Sequence, residues 1–96
     1  MQTRATVTLE EAEIIALKAL AFLADDEARL GRFLALTGLS GPELRANAGE
    51  ASTLSAVLEH LAGDESLLLV FAAEASLPPQ QVGLALQALT AKVERS

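Results

Sequence analysis

Apolar residues recur at helical spacing along almost the whole chain. From about residue 9 to 24, Leu9, Ala12, Ala16, Leu20 and Leu23 fall on one broad stripe, while Glu11, Lys18 and Asp25 repeat every seven positions on the opposite side. Ile14, Ile15 and Phe22 flank that polar line, so the segment is more apolar than one core contact requires. Ahead of it, Thr8-Leu9-Glu10-Glu11 fits a capping box, in which the threonine hydroxyl and the glutamate three residues on satisfy each other's orphan amides. Asp25 or Asp26 caps a second helix with Leu30, Phe33, Leu34 and Ala35 on its apolar face and Gly38 as its left-handed end. Ser40-Gly41-Pro42-Glu43 is another capping signature and opens a short helix, about 42–48, that carries Leu44.

A fourth helix begins near residue 52, with Leu54, Val57, Leu58 and Leu61 facing inward and Ser55, Glu59 and His60 facing out, and Gly63 breaks it. The fifth, capped by Asp64, is apolar on nearly every side through Leu67, Leu68, Leu69, Val70 and Phe71. Such a helix is either central, wrapped by the others, or lends one apolar face to a second chain. Leu77-Pro78-Pro79 ends it and starts a sixth, about 79–93, striped by Val82, Leu86, Leu89 and Val93 with Leu84 off the stripe.

The pattern is heard twice. Residues 16–46 laid over 54–84 without a gap share nine identities in 31 positions, among them Leu23/Leu61, Asp26/Asp64, Glu27/Glu65, Phe33/Phe71 and Leu39/Leu77. The matches fall on caps and core positions, which points to an internal duplication of a helical unit. The expected fold is therefore all-α: a single-domain bundle, 1–96, of five to six helices built as two three-helix units related by a pseudo-two-fold. Gly31 in the first unit would admit a bulky residue of the fifth helix, and residues 1–7 and 94–96 are expected to fray.

Composition agrees. Leu and Ala dominate a chain that is 51% hydrophobic yet holds only three Phe and no Tyr or Trp, and these are strong helix formers. The formal charge is −6, an acidic balance that repels phosphate backbones. No cysteine is present, so neither disulfides nor thiolate chemistry enter, as suits a reducing compartment. No secretory apolar run opens the chain, and the longest apolar stretch, 67–73, falls far short of the roughly 20 residues of a membrane span. The expectation is a cytoplasmic protein with no membrane partner.

Candidate chemistry is thin. The acidic pairs Asp25-Asp26-Glu27 and Asp64-Glu65 lack the spacing of an oxygen-ligand metal loop and read as helix caps. His60, the single histidine, has no ligand or triad partners and reads as a half-buried structural residue. No nucleophile turn or phosphate loop is present. No enzyme activity, metal, cofactor or small-molecule substrate is expected. Residues 71–82 resemble a helix-turn-helix, with Gln80, Gln81 and Gln87 on the would-be reading helix, but the second half of the chain holds only Lys92 and Arg95 as cations.

Three runs, 16–24, 29–39 with Leu30-Gly31-Arg32-Phe33-Leu34 at its centre, and Pro42-Glu43-Leu44-Arg45, resemble a family of short alphaproteobacterial proteins catalogued only as a domain of unknown function. Residues 54–71 and Leu77-Pro78-Pro79 continue the likeness, which covers about 12–90. Glu50-Ala51-Ser52-Thr53 stands where that family leads one to expect an Asp-Pro opening to the fourth helix. The resemblance implies a bacterial cytoplasmic protein and supplies no site residue. The surplus of apolar surface on the first, fifth and sixth helices leads to a non-enzymatic protein-contact module, acting on itself or a partner. Its candidate anchors are Ile14, Phe22 and Leu84, with Arg29 and Arg32 as a polar rim. The rival is a helix-turn-helix DNA-binding module in about 67–93.

Overall fold

A computed structural model describes residues 7–95, which form six helices and no strand. The first, α1 (Leu9–Ala24), starts where the capping box places it: the Thr8 hydroxyl accepts from the Glu11 N–H at 3.1 Å, and the Glu11 carboxylate accepts from the Thr8 N–H at 2.9 Å. In α2 (Glu27–Thr37) it is Asp26 that caps, its Oδ1 accepting from the N–H groups of Ala28 and Arg29. Gly38 ends that helix at φ 76°, where a Cβ would be strained. Ser40 and Glu43 close a reciprocal box over the short α3 (Gly41–Ala46).

The start of α4 (Ala51–Ala62) is bare: Glu50 is its N-cap and makes no side-chain capping bond. Asp64 caps α5 (Glu65–Glu74) by accepting from the Leu67 N–H at 3.1 Å. Its far end is a Schellman turn, with the Leu77 N–H donating to the Ala72 carbonyl and the Ser76 N–H to the Ala73 carbonyl, and Ser76 held at φ 56°. The last helix, α6 (Pro79–Arg95), runs past the expected fray at Glu94. Val7 is buried against the core instead of trailing as a leader, and residues 1–6 and 96 lie outside the described region.

Helix boundaries recur at the 38-residue spacing of the sequence match. α1 and α4 end on Ala24 and Ala62, α2 and α5 begin on Glu27 and Glu65, and α3 and α6 begin on Gly41 and Pro79, each pair 38 positions apart. Two ring contacts follow the same exchange. Phe22 meets Phe71 at 5.4 Å between centroids and His60 meets Phe33 at 5.3 Å, so swapping the halves turns one pair into the other. The correspondence stops at the third helix, because six residues of α3 span about 9 Å and seventeen of α6 about 25 Å at 1.5 Å per residue. α6 lies along both α1 and α4, and these three make the centre of the molecule.

The fifth helix does not take the central place, one of the two expected for it. α4 is the central one, with Thr53, Leu54, Ser55, Val57, Leu58 and Leu61 all buried. Ser55, expected to face out, points at α6, where its hydroxyl lies 3.5 Å from that of Thr90. α5 is peripheral: only Phe71 and Ala72 are buried on it, while Leu69 and Val70 are 50% and 42% exposed. Ten residues packed by one face leave the other faces in water whatever their hydropathy. Gly31 is no contact point either, since a Cβ there would meet nothing within 4 Å.

Candidate functional site

An open groove of about 460 Å³ lies between the C-terminal ends of α1 and α5. Lys18, Ala21 and Phe22 of α1 and its C-cap Asp25 follow the spacing that keeps one helix face in register, and Phe71 and Glu74 of α5 and its C-cap Ala75 face them. The floor is aromatic. Phe22 is tilted 58° against Phe71 on one side, and the Arg29 guanidinium stands 4.2 Å from its centroid, a geometry that adds a cation–π attraction to the packing. Arg29 also reaches 4.0 Å from the Asp26 carboxylate that caps its own helix.

The rim is charged with both signs. Lys18 and Asp25 take part in no ion pair with the described residues, and Glu74 adds a second carboxylate across the groove. Continuing from Lys18 toward the start of α1, Ile14 and Leu17 are 50% and 47% exposed. On the other wall Val70 stands one turn before Glu74. Together these make a band of apolar side chains with a charged edge.

The family model described as "Protein of unknown function (DUF3572)" matches residues 9–92, from the first residue of α1 almost to the end of α6. The chain belongs to the DUF3572 family. No curated protein and no solved structure matches it.

Against this geometry the expected anchors divide. Ile14 is exposed on the groove side of α1, as an anchor should be. Phe22 is not an exposed anchor: at 7% exposure it is the floor of the groove, held by Phe71 and Arg29. Arg29 is therefore partly engaged within the chain, and Arg32 is exposed on the next turn of α2. Leu84 packs partly against the core and lines a separate hollow of about 210 Å³ with Val7, Gln87 and Ala88. The five residues do not form one surface. Leu17, Ala21 and Val70 were missed as surface residues. Their signal was available for α1, where positions 14, 17, 18, 21 and 25 share one side of the wheel, but not for α5, whose all-round hydropathy gives no direction.

Several polar groups of this DUF3572 chain are engaged in local contacts. Asp26 and Asp64 spend their carboxylates on backbone N–H groups, and among the described residues no three His, Asp or Glu side chains are grouped as a metal site requires. Glu43 has its pKa lowered from the ordinary carboxylate value because it accepts from the Ser40 N–H and from its hydroxyl. His60 is half-buried, as expected, and meets Phe33 edge-on at 74°. Its pKa lies below the ordinary value, first because burial penalises the charged ring and second because of Arg32, with Asp64 opposing. On α6 the exposed side carries Gln80, Gly83, Gln87, Ala91 and Glu94, with Arg95 as its one exposed cation among the described residues, at the last position of the helix, while Lys92 lies 3.8 Å from Glu13 of α1. No described helix is long and apolar enough to cross a membrane.

Proposed function

We propose that this DUF3572 chain is a non-enzymatic protein-contact module of a bacterial cytoplasm, and that its contact surface is the band formed by α1 and α5. The duplicated-unit reading of the sequence belongs to the same proposal: the second copy of the hairpin supplies Phe71 to complete the floor begun by Phe22 in the first. The observation that carries it is the groove floored by those two rings, with Ile14, Leu17 and Val70 exposed beside it. Exposed apolar groups next to a preformed aromatic floor, edged by opposite charges, are the composition of an interface core and rim. Contiguous apolar surface of this kind is costly to leave in water and marks interaction sites.

The helix-turn-helix alternative draws less support. A reading helix is positioned by phosphate contacts, and the outer side of α6 offers only Arg95, at the end far from Gln80 and Gln81.

The test is chemical cross-linking of the tagged chain in its own cells, compared with Ala21→Arg. Ala21 is exposed on a helix, so the longer side chain fills the groove without disturbing the core. Loss of the cross-linked protein products in the variant is the expected result. Products unchanged by the substitution would remove the α1–α5 band as the contact surface.

A further inference from the structure

Building on the protein-contact reading, we propose that the occupant of the band is a second copy of this chain, docked with α1 antiparallel to α1 of its partner about a two-fold axis passing beside Ala21 and Phe22.

A two-fold interface must be self-complementary, since each surface meets its own image. The outer face of α1 has that property. Lys18 and Asp25 have opposite signs, stand two turns apart on one side of the helix, and find no ion-pair partner among the described residues of their own chain. An antiparallel crossing centred between positions 21 and 22 sets each Lys18 opposite the partner's Asp25, twice, at equal distances on either side of the axis. Any shift of the centre by a full residue loses this match, so the charges fix the register. At the centre stands Ala21, small enough for two helix axes to approach to about 8–10 Å. Farther out along the same line, Ile14 and Leu17, each about half exposed, add apolar surface outside the two charge pairs. Glu74 stands on the groove rim as a second carboxylate for the incoming Lys18.

A basic peptide would satisfy Asp25 and Glu74 but would leave Lys18 facing a like charge. A second copy answers both signs at once.

The experiment is sedimentation equilibrium of the purified full chain over micromolar to sub-millimolar concentrations, with circular dichroism to confirm helix content in each variant. Wild type is expected to be a dimer in reversible equilibrium. Ala21→Arg should be monomeric. Lys18→Glu and Asp25→Lys should each raise the dissociation constant tenfold or more, because each sets like charges together at two points. The double reversal Lys18→Glu with Asp25→Lys re-forms both pairs with their signs exchanged, and a mixture of the two single variants re-forms one pair so and one as in wild type. Each should bind at least threefold tighter than either single variant alone, short of wild type because the incoming glutamate meets Glu74. All three substituted positions are outside the core, and a lysine at the end of α1 suits the helix dipole, so folding is retained. A strict monomer throughout, or a dimer indifferent to Ala21→Arg and to the charge reversals, would overturn the proposal. If the chain is monomeric while cross-links to a different protein still vanish with Ala21→Arg, the second copy is the wrong occupant and the protein-contact reading stands.

Discussion

Two residues carry local strain or charge that stability measurements can read. Ser76 holds the left-handed position of a Schellman turn at φ 56°, where its counterpart Gly38 has the residue that position favours. Ser76→Gly should therefore stabilise the fold by about 0.5–1 kcal/mol, less the extra chain entropy of glycine. A urea titration that shows a lower midpoint for the variant would contradict the turn geometry. His60 gives a pH signature. Its folded pKa lies below its ordinary value, so folding disfavours protonation: the contribution is fully present above the ordinary histidine pKa and is lost as pH falls through the lowered one. Wild type should lose stability between about pH 7 and pH 5 relative to His60→Gln, and equal slopes for the two would show that the half-buried contact with Phe33 is not sensed. The size of the effect is tempered by Asp64, which favours the charged ring.

At the scale of the helices, the ends were legible and the insides less so. Thr8, Ser40, Asp64 and Gly38, and Asp26 as one of two candidates, announced their elements because capping is local chemistry, complete within four residues. At residues 50–53, where the Asp-Pro opening is missing, Glu50 caps nothing. Replacing it, Glu50→Asp, should supply the missing acceptor to the first turn of α4 and stabilise the protein by roughly 1 kcal/mol. Calorimetry would register this as a higher Tm, and no change would mean that the first turn gains nothing from a cap. What could not be read was direction. Hydropathy marks Leu69 and Val70 as apolar but does not say that α5 packs by Leu67, Leu68 and Phe71 and leaves those two in water, and Ser55 looked solvated because its partner, Thr90, lies in another helix. Phe22 was misjudged for the same reason: its burial depends on Phe71, which no local window contains. The candidate site was thus half visible, with α1 supplying a readable face and α5 a wall that only tertiary structure reveals.

The molecule as a whole explains why so much apolar surface remains. Its extents of 41 × 31 × 18 Å are those of a slab about two helices thick, so no helix is wrapped on all sides and a sequence that is 51% hydrophobic must show some of it to solvent. The formal charge of −6 keeps such a slab from associating at random, and it makes a local match of charge and shape the condition for any specific contact. That places the burden on the α1–α5 band, where both are found together. The most direct test is a photo-activatable cross-linking amino acid introduced at Ala21 in one chain and at Gln87, on the outer side of α6, in another, each irradiated in living cells. The proposed contact predicts protein adducts from position 21 and none from position 87. Adducts from position 87 with none from position 21, whether to protein or to DNA, would contradict it.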